Sequence, residues 1–237
     1  MDPFRRVLLV GDSIAKGVTY DASRGRYVLP TENISRLVEK ATAFVIENIA
    51  RFGATVDTAA KDLTRWLKRG GSPRPDVVAI EVGGNDCNFD WEAVARDPKA
   101  EHLPKTGIEE FERTLGGMIE EVRAADILPV LCNLPPIDAE RYFRYFTGGD
   151  PDKGERILEW LGTVGRIYWW HERYSAAVEQ VAEAMETPLI NVRGALLCEP
   201  DYRVFVAADG LHLNEEGQRR VALAVEKYVQ RRFLRQG

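Results

Sequence analysis

The sequence predicts a three-layer α/β sandwich, in which helices cover both faces of a parallel sheet. Two patterns indicate this fold. Short runs of apolar, often β-branched residues recur along the chain, and a long amphipathic stretch follows each of them, which is the alternation that βαβ units produce. The runs are nearly continuous in apolar character, as expected of strands that helices cover on both faces.

Five apolar runs are predicted as strands. Each has five or six residues and is rich in valine, leucine and isoleucine, and they lie at residues 6–10, 43–48, 77–82, 128–133 and 188–192. Because parallel strands need long crossover connections, usually helical, these runs predict a five-stranded parallel sheet.

Three segments carry clear helix signals. Residues 58–69 place their large apolar side chains on one side and end at a Gly-Gly-Ser-Pro breaker. Residues 108–125 repeat apolar side chains at three- and four-residue spacing, which is typical of an amphipathic helix. The last helix is predicted over residues 215–233.

Two stretches do not follow the alternation. Residues 87–106 contain two prolines and no clear period, which predicts a loop after the third strand. Residues 134–170 hold eight aromatic side chains, and such an insertion can be ordinary packing, a substrate lid or a partner surface. A length of 237 residues fits one domain. We therefore expect a single domain over residues 1–237, with an insertion or lid at about 134–170.

The composition disfavours several functional classes. The chain has 32 Lys and Arg against 37 Asp and Glu, a net charge of −5, so nucleic acid is not an expected partner. Its longest apolar run near the start, residues 7–10, is shorter than a membrane span or a signal-peptide core, which predicts a cytoplasmic protein. Three cysteines without a CxxC pair argue against a disulfide framework or a zinc site.

Candidate catalytic residues follow the predicted strands, at the edge where open parallel sheets bind ligands. The first strand ends in Gly11-Asp12-Ser13, which places Ser13 as a nucleophile or as a helix N-cap. The third strand is followed by Gly83-Gly84-Asn85-Asp86, where the Asn85 amide suits an oxyanion or an Asx turn. Gly53, after the second strand, either presents a backbone N–H or is an ordinary loop glycine.

A carboxylate and an imidazole lie close together near the carboxyl end, in Asp209-Gly210-Leu211-His212. An aspartate three positions before a histidine can accept from Nδ1 and leave Nε2 as a base, which is what a serine nucleophile requires. The alternative is structural, with Asn214 capping the next helix and Asp209 stabilising a turn.

The two other histidines carry weaker signals. His102 lies in the proline-containing loop and His171 follows two tryptophans, so both are interpreted as solvated or satisfied side chains. His171-Glu172 opens a zinc-binding HExxH pattern, but Ser175 stands where the second histidine is required.

Taken together, the four strand-end features resemble the sequence blocks of SGNH (GDSL-type) hydrolases. They occur in the family's order, between Gly11 and His212, and so span nearly the whole chain. The resemblance implies a flavodoxin-like sandwich of five parallel strands, and ester hydrolysis without a metal or an organic cofactor. The first block reads GDSIAKG rather than GDSL, a departure that concerns the substrate more than the chemistry.

Residue by residue, the resemblance implies Ser13 as the nucleophile, His212 as the base and Asp209 as the group that orients it. It further implies an oxyanion hole formed by the Ser13 N–H, the Gly53 N–H and the Asn85 side chain.

The expected substrate is a small-molecule ester with a short acyl group, carried by a carbohydrate or a small alcohol. Lysophospholipid or thioester cleavage is the alternative within the family. Two other classes stay open: a nonhydrolytic small-molecule binding module on the same fold, and a scaffold whose aromatic insertion docks a partner. The sequence does not decide the oligomeric state, and a homo-oligomer is compatible with it.

Overall fold

A five-stranded parallel sheet forms the centre of the computed structural model, which describes residues 6–42, 44–70 and 73–234. In chain order the strands are β1 (Arg6–Gly11), β2 (Thr19–Asp21), β3 (Arg26–Val28), β4 (Val45–Asn48), β5 (Val77–Glu81), β6 (Leu128–Cys132) and β7 (Leu189–Ile190). The large sheet has the order β4-β1-β5-β6-β7, which is the flavodoxin-like order. The predicted sheet is confirmed.

Ten α-helices surround the strands. They are α1 (Ser13–Lys16), α2 (Ile34–Thr42), α3 (Val56–Lys68), α4 (Trp91–Arg96), α5 (Ile108–Ala124), α6 (Ala139–Thr147), α7 (Pro151–Leu161), α8 (Gly165–Ala184), α9 (Val192–Leu197) and α10 (Glu215–Val229), within the ranges that the structure describes. A 3₁₀ turn lies at Tyr202–Phe205 and a π-helical turn at Gln230–Leu234. None of the described helices is long and apolar enough to cross a bilayer.

The two faces of the sheet are covered by different helices. Alternate strand residues such as Leu8 and Ile80 pack against α3, α5 and α8, while Val7 and Val77 pack toward α2, α9 and α10. Because successive side chains of a strand point to opposite faces, nearly every position of a central strand must be apolar. This arrangement confirms the three layers and explains the continuous apolar runs.

The bounds of the predicted elements differ from the observed ones in a few places. The predicted helix over 108–125 matches α5 within one residue, whereas the regular α-helix at the end of the chain stops at Val229. β7 is only two residues long. Ala43 of the predicted second strand, and Gly71 and Ser72 of the predicted breaker, lie outside the described residues.

Several short elements were not predicted. The β2–β3 hairpin and α2 lie between the first two strands of the large sheet. The stretch predicted as a loop over 87–106 contains α4, whose first turn is capped by the Asp90 carboxylate accepting from the Ala93 N–H at 3.0 Å. Such short elements leave little periodic signal in a sequence.

The aromatic stretch over 134–170 folds into α6, α7 and the start of α8. Its side chains form an apolar cluster of their own with Phe89, Trp91 and Val94, beside the two main layers. The rings of Trp91 and Phe146 are stacked, with centroids 4.4 Å apart. Packing therefore accounts for much of the aromatic content, and a lid role stays a prediction.

Candidate active site

Ser13 lies where β1 leaves the sheet. β1 ends at Gly11, where an added Cβ would lie only 2.2 Å from the Glu81 carbonyl oxygen of β5. Asp12 then caps α1, because its carboxylate accepts from the Ile14 N–H at 2.8 Å. Ser13 is thus the first residue of α1 and not its cap, and its side chain is buried at the carboxyl edge of the sheet.

His212 joins Ser13 to Asp209. His212 Nε2 lies 2.8 Å from Ser13 Oγ, and His212 Nδ1 lies 2.6 Å from Asp209 Oδ2. All three side chains are buried. We assign the imidazole tautomer from these partners: Nδ1–H donates to the carboxylate, which leaves the Nε2 lone pair facing the serine hydroxyl.

Hydrogen bonds of backbone groups hold the loop that carries Asp209 and His212 in place. Asp209 Oδ1 accepts from the His212 N–H at 3.1 Å, and the Asp138 N–H at the start of α6 donates to the Gly210 carbonyl at 2.9 Å. Gly210 has φ +77°, and an added Cβ would lie 2.2 Å from the Tyr142 nitrogen. The aromatic segment therefore supports the loop directly.

Asn85 shares a small cavity with Ser13, of about 20 Å³. Its Nδ2 donates to Asp12 Oδ2 at 3.2 Å. An amide nitrogen carries two hydrogens, so one N–H of Asn85 is held by Asp12 and the other is available to a ligand.

Gly53 occupies the loop after β4, with φ +75°. The preceding residue, Phe52, lies parallel to the His212 ring with centroids 6.0 Å apart. The structure therefore brings Ser13, His212 and Asp209 into direct contact, places Asn85 at the same cavity, and puts Gly53 in the loop that packs on His212.

Two aromatic neighbours of His212 were missed by the sequence reasoning. Tyr27 of the β2–β3 hairpin lies 4.9 Å from the His212 ring between centroids, and Phe52 covers another side. Phe52 could have been found from its position next to Gly53, whereas no pattern in the sequence pointed to Tyr27. Both shield the imidazole from solvent.

Two buried carboxyl groups beneath Ser13 were also missed. Burial raises the pKa of Asp12 to about 6, and burial together with the neighbouring Asp12 carboxyl raises the pKa of Glu81 well above its usual range. Glu81 Oε2 accepts from the Ala15 N–H of α1 at 3.0 Å. The sequence signal for Glu81 was a charged residue inside the otherwise apolar run 77–82.

Asp86, the last residue of the GGND segment, holds two neighbouring segments together by hydrogen bonds. Its carboxylate accepts from the Val56 N–H at 3.0 Å and from the Thr106 hydroxyl at 2.7 Å. Burial raises its pKa, and these hydrogen bonds partly offset that shift. Asp86 therefore caps α3 and anchors the loop before α5.

A larger cavity of about 390 Å³ adjoins the small cavity that Ser13 lines. It shares Gly84, Ile137, His171 and Leu211 with the small cavity. The His102 and His171 side chains, predicted as solvated or satisfied, both line it. His171 is buried rather than solvated, and its Nδ1 has no partner among the described residues.

Among the residues that the structure describes, no group of three or more His, Cys, Asp and Glu side chains is placed to hold a metal ion. Cys87 and Cys132 are buried free thiols, and Cys198 is an exposed one. The buried thiols are poor nucleophiles, since burial raises the pKa of Cys132 to about 12 and that of Cys87 as well.

A flavodoxin-like sheet with a hydrogen-bonded serine, histidine and aspartate at its carboxyl edge is the architecture of the SGNH hydrolase class. The chain belongs to the GDSL-like Lipase/Acylhydrolase family, which matches residues 9–220.

Known relatives agree with this family. The chain is 28% identical over 143 residues to Esterase TesA of Pseudomonas aeruginosa, a match that covers 60% of this chain and 61% of the relative. The chain thus matches about three fifths of the length of that curated relative.

Two solved structures share the fold. The lipase/acylhydrolase from Enterococcus faecalis superposes with a TM-score of 0.67 and 22% identity, over 97% of each chain. A catalytic mutant of Axe2, an acetylxylan esterase from Geobacillus stearothermophilus, gives a TM-score of 0.62 and 18% identity, over 97% of this chain and 95% of that one. At such identities the likeness shows the fold alone.

Proposed function

We propose that the protein is a serine ester hydrolase that works through an acyl-enzyme. The observation that carries this proposal is the chain of two hydrogen bonds from Ser13 Oγ through the His212 ring to Asp209, with lengths of 2.8 and 2.6 Å. A serine hydroxyl is a weak nucleophile unless a base removes its proton, and a base works best when a third group fixes its orientation.

In the proposed first step, His212 Nε2 takes the Ser13 proton while Oγ attacks the ester carbonyl carbon. Asp209 stabilises the imidazolium that forms and holds the ring in place. The carbonyl oxygen gains negative charge, which the Ser13 N–H, the Gly53 N–H and the free N–H of Asn85 stabilise. His212 then gives the proton to the departing alcohol.

In the second step, water attacks the acyl-Ser13 carbonyl. His212 removes a proton from that water, and collapse of the intermediate returns the proton to Ser13 Oγ and releases the acid. The burial of all three residues supports this cycle, because hydrogen bonds are stronger where water is excluded.

The proposed substrate is an ester with a short acyl group on a carbohydrate or a small alcohol. The small cavity beside Ser13 has a volume of about 20 Å³, which suits a group of about the size of a methyl or a water molecule. The structural neighbour Axe2 is an acetylxylan esterase. Lysophospholipid or thioester cleavage is the alternative, and it requires room for a longer acyl chain.

Covalent labelling tests the chemistry. A fluorophosphonate probe should label the wild-type protein at Ser13 and leave Ser13→Ala unlabelled. Ser175→Ala is a matched control, because Ser175 is also a buried serine but lies on α8, and it should label normally. By analogy with other serine hydrolases, Ser13→Ala should lower turnover by about 10⁶. Labelling or hydrolysis that survives in Ser13→Ala would overturn the proposal.

A series of p-nitrophenyl esters tests the substrate class. Acetate and butyrate esters should be hydrolysed with higher kcat/KM than esters of eight or more carbons. A preference for the long chains would instead support the lysophospholipase or thioesterase alternative.

A further inference from the structure

The larger cavity next to Ser13 has features of a binding site rather than a packing defect. Its walls include the aromatic rings of Phe89, Trp91 and Trp160, and it meets the serine cavity at Gly84 and Leu211. A volume of about 390 Å³ falls within the range of small-molecule sites. A ligand that extends from the reacting carbonyl would enter it directly.

Two buried polar groups at this cavity have no partner. The indole Nε1 of Trp170 and the Nδ1 of His171 find no hydrogen-bond partner among the residues that the structure describes. Only 4% of His171 is exposed. Leaving a buried polar group unpaired costs about 1–3 kcal/mol, so a ligand with an oxygen in this position would remove that cost.

The mouth of the cavity carries positive charge. Arg166, Trp169, Trp170 and Arg173 lie on one face of α8, at the i, i+3, i+4 and i+7 positions, and all four line the cavity. The Arg173 guanidinium lies 4.4 Å from the centroid of the Trp170 ring. Both arginines are exposed, and neither forms an ion pair with a carboxylate of the described residues. Arg166 Nη1 donates to the Trp160 carbonyl oxygen at 3.5 Å.

We infer that this cavity binds the alcohol portion of the ester, and that this portion is an apolar ring with an anionic group at its far end. The ring would pack against the aromatic walls and the anion would reach Arg166 and Arg173. The acyl portion occupies the small cavity. This inference rests on the proposed function, and of the two alcohols proposed there it selects the small alcohol over the carbohydrate.

Two matched acetate esters test the inference. One is the acetate of 4-(hydroxymethyl)benzoate, and the other is the acetate of 4-(hydroxymethyl)benzamide, which has the same shape without the charge. The wild-type protein should have the higher kcat/KM for the carboxylate ester. Arg166→Gln and Arg173→Gln should each reduce this preference by about two- to fivefold, the effect of losing an exposed ion pair.

The control variant is Arg69→Gln, which removes an exposed arginine at the end of α3, on the opposite edge of the sheet. It should keep the wild-type preference. Equal kcat/KM for the two esters, or a preference that survives in the double arginine variant, would overturn the inference. In p-nitrophenyl monoesters of dicarboxylic acids the negative charge lies on the acyl portion. If only these esters were hydrolysed in preference to uncharged ones, the inference would be overturned, because the anion would then belong to the acyl portion.

A binding measurement separates this inference from the proposed function. In Ser13→Ala, 4-(hydroxymethyl)benzoate should quench tryptophan fluorescence at lower concentration than 4-(hydroxymethyl)benzamide, since Trp160 and Trp170 line the cavity. This difference should be present even if no ester is hydrolysed. Equal quenching by the two compounds would contradict the inference about the cavity and leave the proposed function unaffected.

A second inference comes from the two carboxyl groups beneath Ser13. Asp12 and Glu81 are 1% and 5% exposed, and they lie side by side at the ends of neighbouring strands, where the Asp12 N–H donates to the Glu81 carbonyl oxygen at 3.2 Å. Asp12 also accepts from the Ile14 N–H and from Asn85 Nδ2. Glu81 accepts only from the Ala15 N–H, and its Oε1 has no donor within the described part of the chain.

These contacts indicate which carboxyl group is protonated. Two buried carboxyl groups at the ends of neighbouring strands avoid repulsion if one of them is protonated and donates to the other. Asp12 already accepts two N–H groups, whereas Glu81 Oε1 lacks a donor, so we assign the proton to Glu81 and the acceptor role to Asp12. The titratable groups that face the pair from neighbouring elements are Asp86, Cys87, Cys132, His171 and His212.

We propose that Glu81 is a positioning residue, which stays protonated and, through Asp12, holds α1 and the Asn85 amide in place. Glu81 touches the Ala15 N–H in the first turn of α1, and Asp12 holds one N–H of Asn85. Loss of the Glu81 proton would place two negative charges in contact and push these groups apart. The structure therefore predicts a loss of kcat at alkaline pH.

Two substitutions at Glu81 test this role. Glu81→Gln keeps both hydrogen bonds, because its oxygen accepts from Ala15 and its amide donates to Asp12. It should keep the wild-type kcat and lose the alkaline decrease. Glu81→Leu removes both hydrogen bonds and should lower kcat by about 10²-fold, the effect of a misplacement of about 1 Å, with little change in KM.

Infrared difference spectra of Glu81→Gln against wild type provide a readout that does not depend on turnover. The wild-type protein should show, at neutral pH, the carbonyl band of a protonated carboxyl group that the variant lacks. Absence of that band would overturn the proposal, and so would an equal loss of kcat in the Gln and Leu variants. The band should be present even if the protein hydrolyses no ester.

Discussion

His212 Nε2 lies 2.8 Å from Ser13 Oγ, although 199 positions separate the two residues in the chain. Ser13 follows the first strand, and His212 precedes the last α-helix. β1 lies inside the parallel sheet. The two residues meet because the loops at the carboxyl ends of the strands of this sheet converge at one edge.

Replacing Asp209 by Asn should lower kcat by about 10⁴, because the amide favours the wrong imidazole tautomer for a base at Nε2. The measurement is turnover of p-nitrophenyl acetate. Asp201→Asn is the control, since Asp201 is also a loop aspartate but pairs with the exposed Arg203, and it should keep the wild-type kcat. A tenth or more of the activity in Asp209→Asn would contradict the proposed role of Asp209.

Replacing Asn85 by Ala should lower kcat by about 10² to 10³, as expected when one donor of an oxyanion hole is lost. KM should change much less, since the charge on the oxygen develops only in the transition state. Steady-state kinetics of a short-chain ester measure both constants. A change confined to KM would assign Asn85 to ground-state binding instead.

The sheet could be predicted from the sequence because its strands are buried on both faces. That burial makes neighbouring residues such as Val77 and Val78 apolar, although they face opposite layers. The candidate nucleophile and base could be found because each follows a strand or precedes a helix in a short, distinctive motif. These signals are local in the sequence.

The surroundings of the site could not be predicted, since they depend on contacts between distant segments. Asp12 meets Glu81 because Gly11 pairs with Glu81 across β1 and β5, a register that neither strand encodes by itself. Tyr27 reaches His212 from a hairpin of two three-residue strands. Pairings of this kind are decided by tertiary packing.

Replacing Gly210 by Ala should reduce both stability and kcat. The residue has φ +77°, and its Cβ would lie 2.2 Å from the Tyr142 nitrogen and 2.5 Å from the Asp138 carbonyl oxygen. The positive φ alone should cost about 1 kcal/mol, and the clash with backbone atoms should move the loop that carries Asp209 and His212. Urea unfolding and turnover are the two measurements.

Gly148→Ala is the matched control for that substitution. Gly148 has φ +66°, but an added Cβ would find nothing within 4 Å. It should therefore lose a similar amount of stability from the backbone and keep the wild-type kcat. Equal kcat values in Gly210→Ala and Gly148→Ala would contradict the role that we give to Gly210 in holding the loop.

His171 should make the folded protein sensitive to acid. Burial, with a smaller effect from Arg193, lowers the pKa of His171 to about 3, whereas an unfolded histidine has a pKa of about 6.5. Between these values the unfolded chain binds more protons than the folded one. The free energy of unfolding should therefore fall as the pH is lowered from about 6.5 toward about 3, by up to about 1.4 kcal/mol per pH unit.

Asp12 and Glu81 act in the opposite direction. Their pKa values are raised in the folded protein, so their contribution to stability is present at low pH and is lost as the pH rises through about 6 for Asp12.

Comparison of the wild type with a His171 variant isolates the contribution of His171 to the acid sensitivity. Urea unfolding of wild type and His171→Gln at about pH 7.5 and about pH 5 should show a smaller loss of stability in the variant, because glutamine does not titrate in this range. Equal losses in the two proteins would mean that His171 is protonated in the folded state, or that another group causes the acid sensitivity.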